Sequence, residues 1–231
     1  MNATERNFLE NTDLFTGLPE NALADAANCA KCRKLGGRQI LFHQGDPAEH
    51  IFLLRAGRLK LVQYNESGDE VIIRYIGPNE FTAMVSVLEN AVYPVTAEVI
   101  QSGEALFWDR NTMRRLMRDY PGIAVHALEM VLKQLGEIQE RFKEVSTEIV
   151  EKRIARTLAR FIRHSGIKTA EGILIDIPMS RKDLADFTGT TFYTVSRVMS
   201  SWERSQWIRT ENRKILVLNP HALISFAEDF A

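Results

Sequence analysis

Between about residues 36 and 108 the chain alternates in short apolar runs broken by turn residues. The runs are HIFLL, RLKLVQY and EVIIRYI, and Gly45, Gly57, Gly68 and Gly77 punctuate them at steps of 12, 11 and 9 residues. Regularly spaced strands rich in β-branched and aromatic residues predict an all-β sandwich or barrel. Asn65–Asp69 reads as a hairpin loop and Gly77-Pro78 as another turn. On either side the period becomes helical. Residues 14–35 are amphipathic through Leu14, Phe15, Leu18, Leu23, Ala26 and Ala27, and a helix is expected over 111–118. Pro121 opens a longer one. Its Leu128, Val131, Leu135, Ile138, Phe142 and Val145 fall at steps of 3, 4, 3, 4 and 3, among Glu129, Lys133, Glu137, Glu140 and Arg141. That is a heptad seam. It packs either on its own domain or on a second copy; a dimer interface is the expectation. A further helix is expected over 147–164.

The stretch Ser180–Leu218 carries the most chemistry. Ser180 with Asp183 three residues on reads as a helix-capping pair. Leu184 and Phe187 face inward, Gly189 supplies a turn and Thr191 caps a second helix. Val195, Met199 and Trp202 are that helix's buried stripe. Phe192, Tyr193, Ser196 and Arg197 are then left on or near the outward face of its first two turns. Ile208-Arg209 and Arg213–Val217, with Thr210-Glu211-Asn212 between them, form a basic hairpin. The order is that of a winged helix-turn-helix, which places one helix in the DNA major groove. Arg197 has the donor geometry for guanine O6 and N7. The plain alternative is a helical hairpin with a solvated charged face.

Charge adds a little. The net charge is −1, but residues 1–146 hold 16 Lys+Arg against 20 Asp+Glu, and residues 147–231 hold 13 against 10. The basic excess lies with the helix-turn-helix. No run of 18 apolar residues is present, so no membrane span is expected, and the polar N-terminus does not read as a signal peptide. A cytoplasmic protein is the expectation. Cys29 and Cys32 form a CxxC without a second half, read as two reduced thiols on a helix or as a redox or metal sensor. No P-loop, GxSxG, HExxH or paired-carboxylate motif points to an enzyme.

The order β-domain, long helix, winged helix-turn-helix resembles the CRP/FNR family of bacterial transcription regulators, over about residues 14–218. FHQGDPAEHIFLLRAGRLKLV and the TVSR of the second helix carry the resemblance. GTTFYTVSR and FTAMVSVLENAVYPVTAEV look most like its nitric-oxide-responsive NnrR/DNR-like branch. The resemblance implies an α+β chain with three parts. An N-terminal β-roll, a cyclic-nucleotide-binding-like jelly roll, spans 1–120. A dimerisation helix spans 121–146, and the winged helix-turn-helix spans 147–231, with a hinge at 144–146. It implies a homodimer on palindromic double-stranded DNA, contacts to RNA polymerase and activation of transcription.

Departures from the family pattern bear on the effector. Members that bind cyclic AMP carry Gly-Glu-Leu and Arg-Ser where this chain has Ala83-Met84-Val85 and Val95-Thr96-Ala97. A buried phosphate without a cation is strongly disfavoured, so cyclic AMP is not expected. An iron–sulfur cluster needs four cysteines, and two are present. The effector pocket is expected from Phe81, Met84, Val85, Val87, Leu88, Tyr93 and Val95, suited to an apolar ligand such as haem. His43, His50 and His126 would be the axial candidates, none with a signature around it. A regulator switched through Cys29 and Cys32, or one with no effector, stays open. On the DNA side, Tyr193 stands where many members have Glu, while Ser196 and Arg197 are retained; these three are the expected base contacts. Arg181, Lys182, Thr191, Thr194, Arg209, Arg213 and Lys214 are the expected contacts to the phosphate backbone.

Overall fold

The computed structural model describes residues 3–228. The chain forms two compact units. One runs up to residue 63 and resumes over 73–137; the other takes in 64–72 and the residues from 138 onward.

The first unit opens with α1 (Ala3–Glu10) and α2 (Glu20–Cys29). The strands follow: β1 (Lys31–Leu35), β2 (Ile40–Phe42), β3 (His50–Tyr64), β4 (Glu70–Ile76) and β5 (Phe81–Thr82). A single 3-10 turn at Met84–Val87 leads to β6 (Thr96–Asp109) and α3 (Arg110–Asp119). The sheet order is β1-β6-β3-β4, with β2 also on β6 and β5 on β3. Successive residues of β3 point to opposite faces. Ile51 and Leu53 join Phe15, Phe81, Trp108, Met113 and Leu116 under the helices. Phe52 and Leu54 join Leu41, Phe42, Leu59, Leu61, Ile76 and Val99 inside the roll. A strand covered on both faces reads as a continuous apolar run, which is what HIFLL is.

Two expectations are corrected here. Gly57 does not end a strand: β3 continues through it with register shifts against β6 between Leu54 and Leu59. At φ +92 a Cβ on Gly57 would lie 2.6 Å from Gln101 O, so glycine is required at this irregularity. The helix expected to reach residue 35 stops at Cys29, and Lys31–Leu35 pairs antiparallel with Gly103–Phe107. Only Leu35 of β1 is buried, so the strand has no apolar alternation to announce it.

α4 (Pro121–Thr147) begins in the first unit, where Ile123 and Ala127 enter the helix-covered core, and ends in the second. The dimerisation helix expected as a segment of its own is thus shared between the units. After it come α5 (Val150–Ser165), β7 (Gly166–Lys168), β8 (Ile173–Ile175), α6 (Arg181–Thr188) and α7 (Phe192–Arg204). β9 (Ile208–Glu211), β10 (Lys214–Val217) and α8 (Pro220–Glu228) complete the second unit. Its sheet runs β7-β8-β10-β9, antiparallel throughout. Ile215, Leu216 and Val217 of β10 are buried, as are Leu223 and Ala227 of α8. The hairpin turn is shorter than expected, Asn212-Arg213 alone, with φ of 50 and 62. Positive φ at both central residues is the mark of a type I′ turn, whose twist matches the strands.

Candidate nucleic-acid interface

α6 starts and stops as its sequence dictates. Ser180 Oγ accepts from Asp183 N at 3.0 Å, and Asp183 Oδ2 accepts from Ser180 N at 2.8 Å, closing a capping box. Gly189 ends the helix at φ +64, a left-handed conformation that costs most side chains about 1–2 kcal/mol. Thr191 caps α7, accepting from Thr194 N at 3.2 Å, with the two hydroxyls 3.0 Å apart. Val195, Val198, Met199 and Trp202 are buried and fix which face of α7 looks outward.

That face presents Tyr193, 82% exposed, beside Phe192, 47% exposed, the two rings edge to face at 5.9 Å. Arg197 has a side chain 75% exposed, with Nη2 3.7 Å from Glu151 Oε1. Ser196 is half-buried one residue before it. The expected base contacts therefore share the first two turns of one helix.

The expected backbone contacts divide. Arg181 Nη1 donates to Ser200 Oγ at 3.0 Å, and Nη2 to Glu203 Oε2 at 2.9 Å. It braces α6 against α7 in this arrangement, and a phosphate contact from Arg181 would exchange these partners for DNA. The other four cations also hold carboxylates. Lys182 pairs with Asp186, and that hydrogen bond raises its pKa above the ordinary lysine value. Arg209 pairs with Glu171 and with Glu211, the latter at 2.7 Å. Arg213 Nη2 lies 3.3 Å from Asp183 Oδ2 and Lys214 Nζ 2.6 Å from Asp176 Oδ1. The pairs of Arg209 are exposed on both sides and worth about 0–1 kcal/mol, whereas Asp186, Asp183 and Asp176 are partly buried partners of cations that themselves reach the surface.

The junction before this domain is not where it was expected. α4 continues through residues 144–146 to Thr147, and the break falls at Glu148-Ile149. Glu144, 6% exposed, accepts from Arg160 Nη1 at 2.5 Å, and Glu148 Oε1 lies 3.0 Å from Arg156 Nη2. Both pairs tie the end of α4 and the break after it to α5.

The seam residues of α4 are exposed: Leu128 59%, Val131 47%, Leu135 48%, Ile138 52%, Phe142 74% and Val145 52%. With Val125 and Leu132, eight of the sixteen large hydrophobic side chains exposed among the described residues lie on this one helix. Full burial of each such side chain is worth about 1.5–3 kcal/mol, a concentrated reason to meet a partner.

The expected effector residues divide between two core clusters and the surface. Phe81 is core, edge to face with Phe15 at 5.8 Å and packed near Trp108. Met84 and Val87 pack on that same cluster, Val85 and Val95 on the other. Tyr93 stacks on Phe42 at 4.1 Å, donates to His50 O at 3.2 Å and accepts from His50 N at 3.1 Å. Burial first, opposed by backbone hydrogen bonds, pushes its phenol up. Leu88 is 60% exposed. The shared apolar character that suggested a pocket is that of two cores and a surface. A residue that pattern reasoning passed over is Arg74, whose Nη2 donates to Glu80 Oε1 at 2.8 Å while Glu80 Oε2 accepts from Gly77 N at 2.6 Å.

Haem needs an axial ligand beside an apolar cavity. His50 packs edge-on to Phe107 at 5.2 Å, His126 Nδ1 lies 3.1 Å from Leu14 O and His43 is exposed. Each of the three thus has neighbours of its own or faces outward, and the haem reading rests on the sequence resemblance alone. The cysteines are not on one helix either: Cys29 ends α2 and Cys32 lies in β1. Arg115 Nη2 is 3.1 Å from Cys29 Sγ, while burial and then Glu104 push the Cys32 thiol up. Among the described residues no group of three or more His, Cys, Asp or Glu could hold a metal ion, and no helix is long and apolar enough to cross a membrane.

Two known domain families match successive parts of the chain. Residues 32–120 match the cyclic nucleotide-binding domain, and residues 152–226 match the Crp-like helix-turn-helix domain. The chain is 19% identical over 215 residues to a CRP-like cAMP-activated global transcriptional regulator of Mycobacterium tuberculosis, covering 93% of this chain and 96% of that one. It is 23% identical over 195 residues to the transcriptional activator protein Anr of Pseudomonas aeruginosa, covering 84% and 80%. Its fold matches that of FixK2 from Bradyrhizobium japonicum with a TM-score of 0.76 at 20% identity, over 87% of this chain and 99% of that one. With an effector-binding domain type ahead of a Crp-like helix-turn-helix over most of its length, this chain belongs to the CRP/FNR family of DNA-binding transcription regulators.

Proposed function

We propose that the chain acts in the cytoplasm as a homodimer, binds a palindromic DNA site in a sequence-dependent way and activates transcription through contact with RNA polymerase. The observation that carries the reading is α7: its cap, its buried stripe and the outward Tyr193, Ser196 and Arg197 make a helix built to enter a major groove. The exposed stripe of α4 supports dimerisation, and two copies related by a twofold axis would set two such helices about 34 Å apart. Phosphate contacts fall to Lys182, Thr191, Thr194, Arg209, Arg213 and Lys214, each cation exchanging an internal carboxylate for DNA.

The β-roll serves as the sensing domain in this reading, for a small effector other than cyclic AMP. The segment that would hold a cyclic phosphate carries Val95 and Thr96, with no cation at either position. The nitric-oxide and haem reading rests on the sequence resemblance and gains no residue support from the histidines.

The test is titration of the purified chain against a TTG-based palindrome and a duplex with both half-sites scrambled, over a range of salt. Tighter binding to the palindrome, at two chains per duplex and with affinity falling steeply as salt rises, is the expected result. Equal binding to both duplexes overturns sequence specificity.

A further inference from the structure

The turn of the helix-turn-helix has three consecutive main-chain carbonyls held by arginines of the two preceding helices. Arg141 of α4 donates Nη2 to Phe187 O at 2.9 Å, and its guanidinium lies 4.0 Å from the Phe187 ring centroid. The same nitrogen reaches Ile72 O at 3.2 Å, in the 64–72 segment of the same unit. Arg153 of α5 is 9% exposed. It donates Nε to Thr188 O and Nη2 to Gly189 O, both at 3.3 Å, and Nη1 to Glu148 O at 3.0 Å, at the break between α4 and α5.

The last carbonyls of a helix have no partner within it and lie at the negative end of its dipole. Gly189 alone would suffice to end α6. Two guanidiniums do more, because a planar fork fixes direction as well as charge. α7 begins only three residues after Gly189, so whatever holds residues 187–189 holds the start of the recognition helix.

We infer that Arg141 and Arg153 are positioning residues for DNA recognition, tying the helix-turn-helix turn to the α4–α5 junction so that the arrangement of paired α4 helices sets the spacing of the two recognition helices. This rests on the reading of the chain as a palindrome-binding dimer. Arg153 is too buried for its removal to be read cleanly, so the test uses Arg141.

Full-length wild type, R141A and R141K are bound to a single half-site and to palindromes with the half-site spacing changed by one base pair either way. Amide hydrogen exchange at residues 187–190 is followed in the same proteins without DNA. Wild type prefers one spacing. In R141A that preference falls about tenfold, with half-site affinity, dimer mass and melting temperature unchanged, and exchange at 188–190 rises about tenfold. R141K, a point charge without the fork, does not restore either. R141A with wild-type spacing preference, or with a half-site loss equal to its palindrome loss, overturns the inference. If wild type binds no duplex, the DNA reading fails instead, and exchange decides the clamp: an unchanged rate at 188–190 removes it.

Discussion

At the scale of single residues, the useful distinction is between cations that are committed and cations that are available. Arg181 has two polar partners on α7 besides Glu203, whereas Arg197 stands 75% exposed at 3.7 Å from one carboxylate. Both are arginines near a helix start, and sequence position alone could not separate them, because the separation depends on where Ser200 and Glu203 come round on the next helix. Other residues were legible: Ser180, Gly189 and Thr191 act as caps and turn because their chemistry permits little else. Ala83 was not. It sits at φ +65 at the start of the 3-10 turn, a left-handed conformation that favours glycine. A83G is expected to stabilise the chain by about 0.5–1 kcal/mol, the relief of left-handed strain less the glycine's added unfolded-state entropy, as read from urea unfolding. Asp109 caps α3 and accepts from Thr112 N at 2.9 Å; that backbone hydrogen bond, with burial opposing it, holds its carboxyl below the usual aspartate value. A lowered folded-state pKa stabilises above the unfolded value, and the contribution is lost as pH falls through the folded one. D109A should therefore cost about 1 kcal/mol at neutral pH, with the difference from wild type shrinking in acid.

At the scale of elements, the long helix was the clearest feature of the sequence, and its seam explains why. Leu128 through Val145 repeat with the period of a helix–helix contact, while Ile123 and Ala127 turn to the core of their own unit. One helix thus carries two stripes with two destinations. The paired substitution L135E and I138E places two charges in the seam's centre while leaving the inward stripe intact. Sedimentation is expected to show a monomer with near-wild-type melting temperature, and palindrome binding is expected to fall to that of a half-site. A dimer that survives the change would place the interface elsewhere. β1, β7 and β8 were not legible. β1 and β7 are short and mostly unburied, and β8, though wholly apolar, is only three residues long, too short for a period to show. They exist because a neighbour offers an edge to pair with: β6 for β1, β10 for β8 and β8 for β7.

At the scale of the whole molecule, the chain joins a β-roll whose strands are packed on both faces to a small domain whose outward helix is charged and aromatic. The fold and the capped helix with its outward face were readable because both follow from local pattern: strand spacing, caps and heptads. The effector site was not, because apolar residues line cores and pockets alike, and only packing separates Phe81 among Phe15 and Trp108 from a ligand wall. The account's central claim is that α7 reads bases as part of a dimer. The most direct measurement is competition binding of wild type and R197A to a TTG-based palindrome and to the same duplex with its half-site guanines replaced. Wild type should prefer the intact site, and R197A should lose about 1–3 kcal/mol of that preference per half-site while keeping its salt-dependent binding to either duplex. An R197A protein that still discriminates as wild type does would contradict the account.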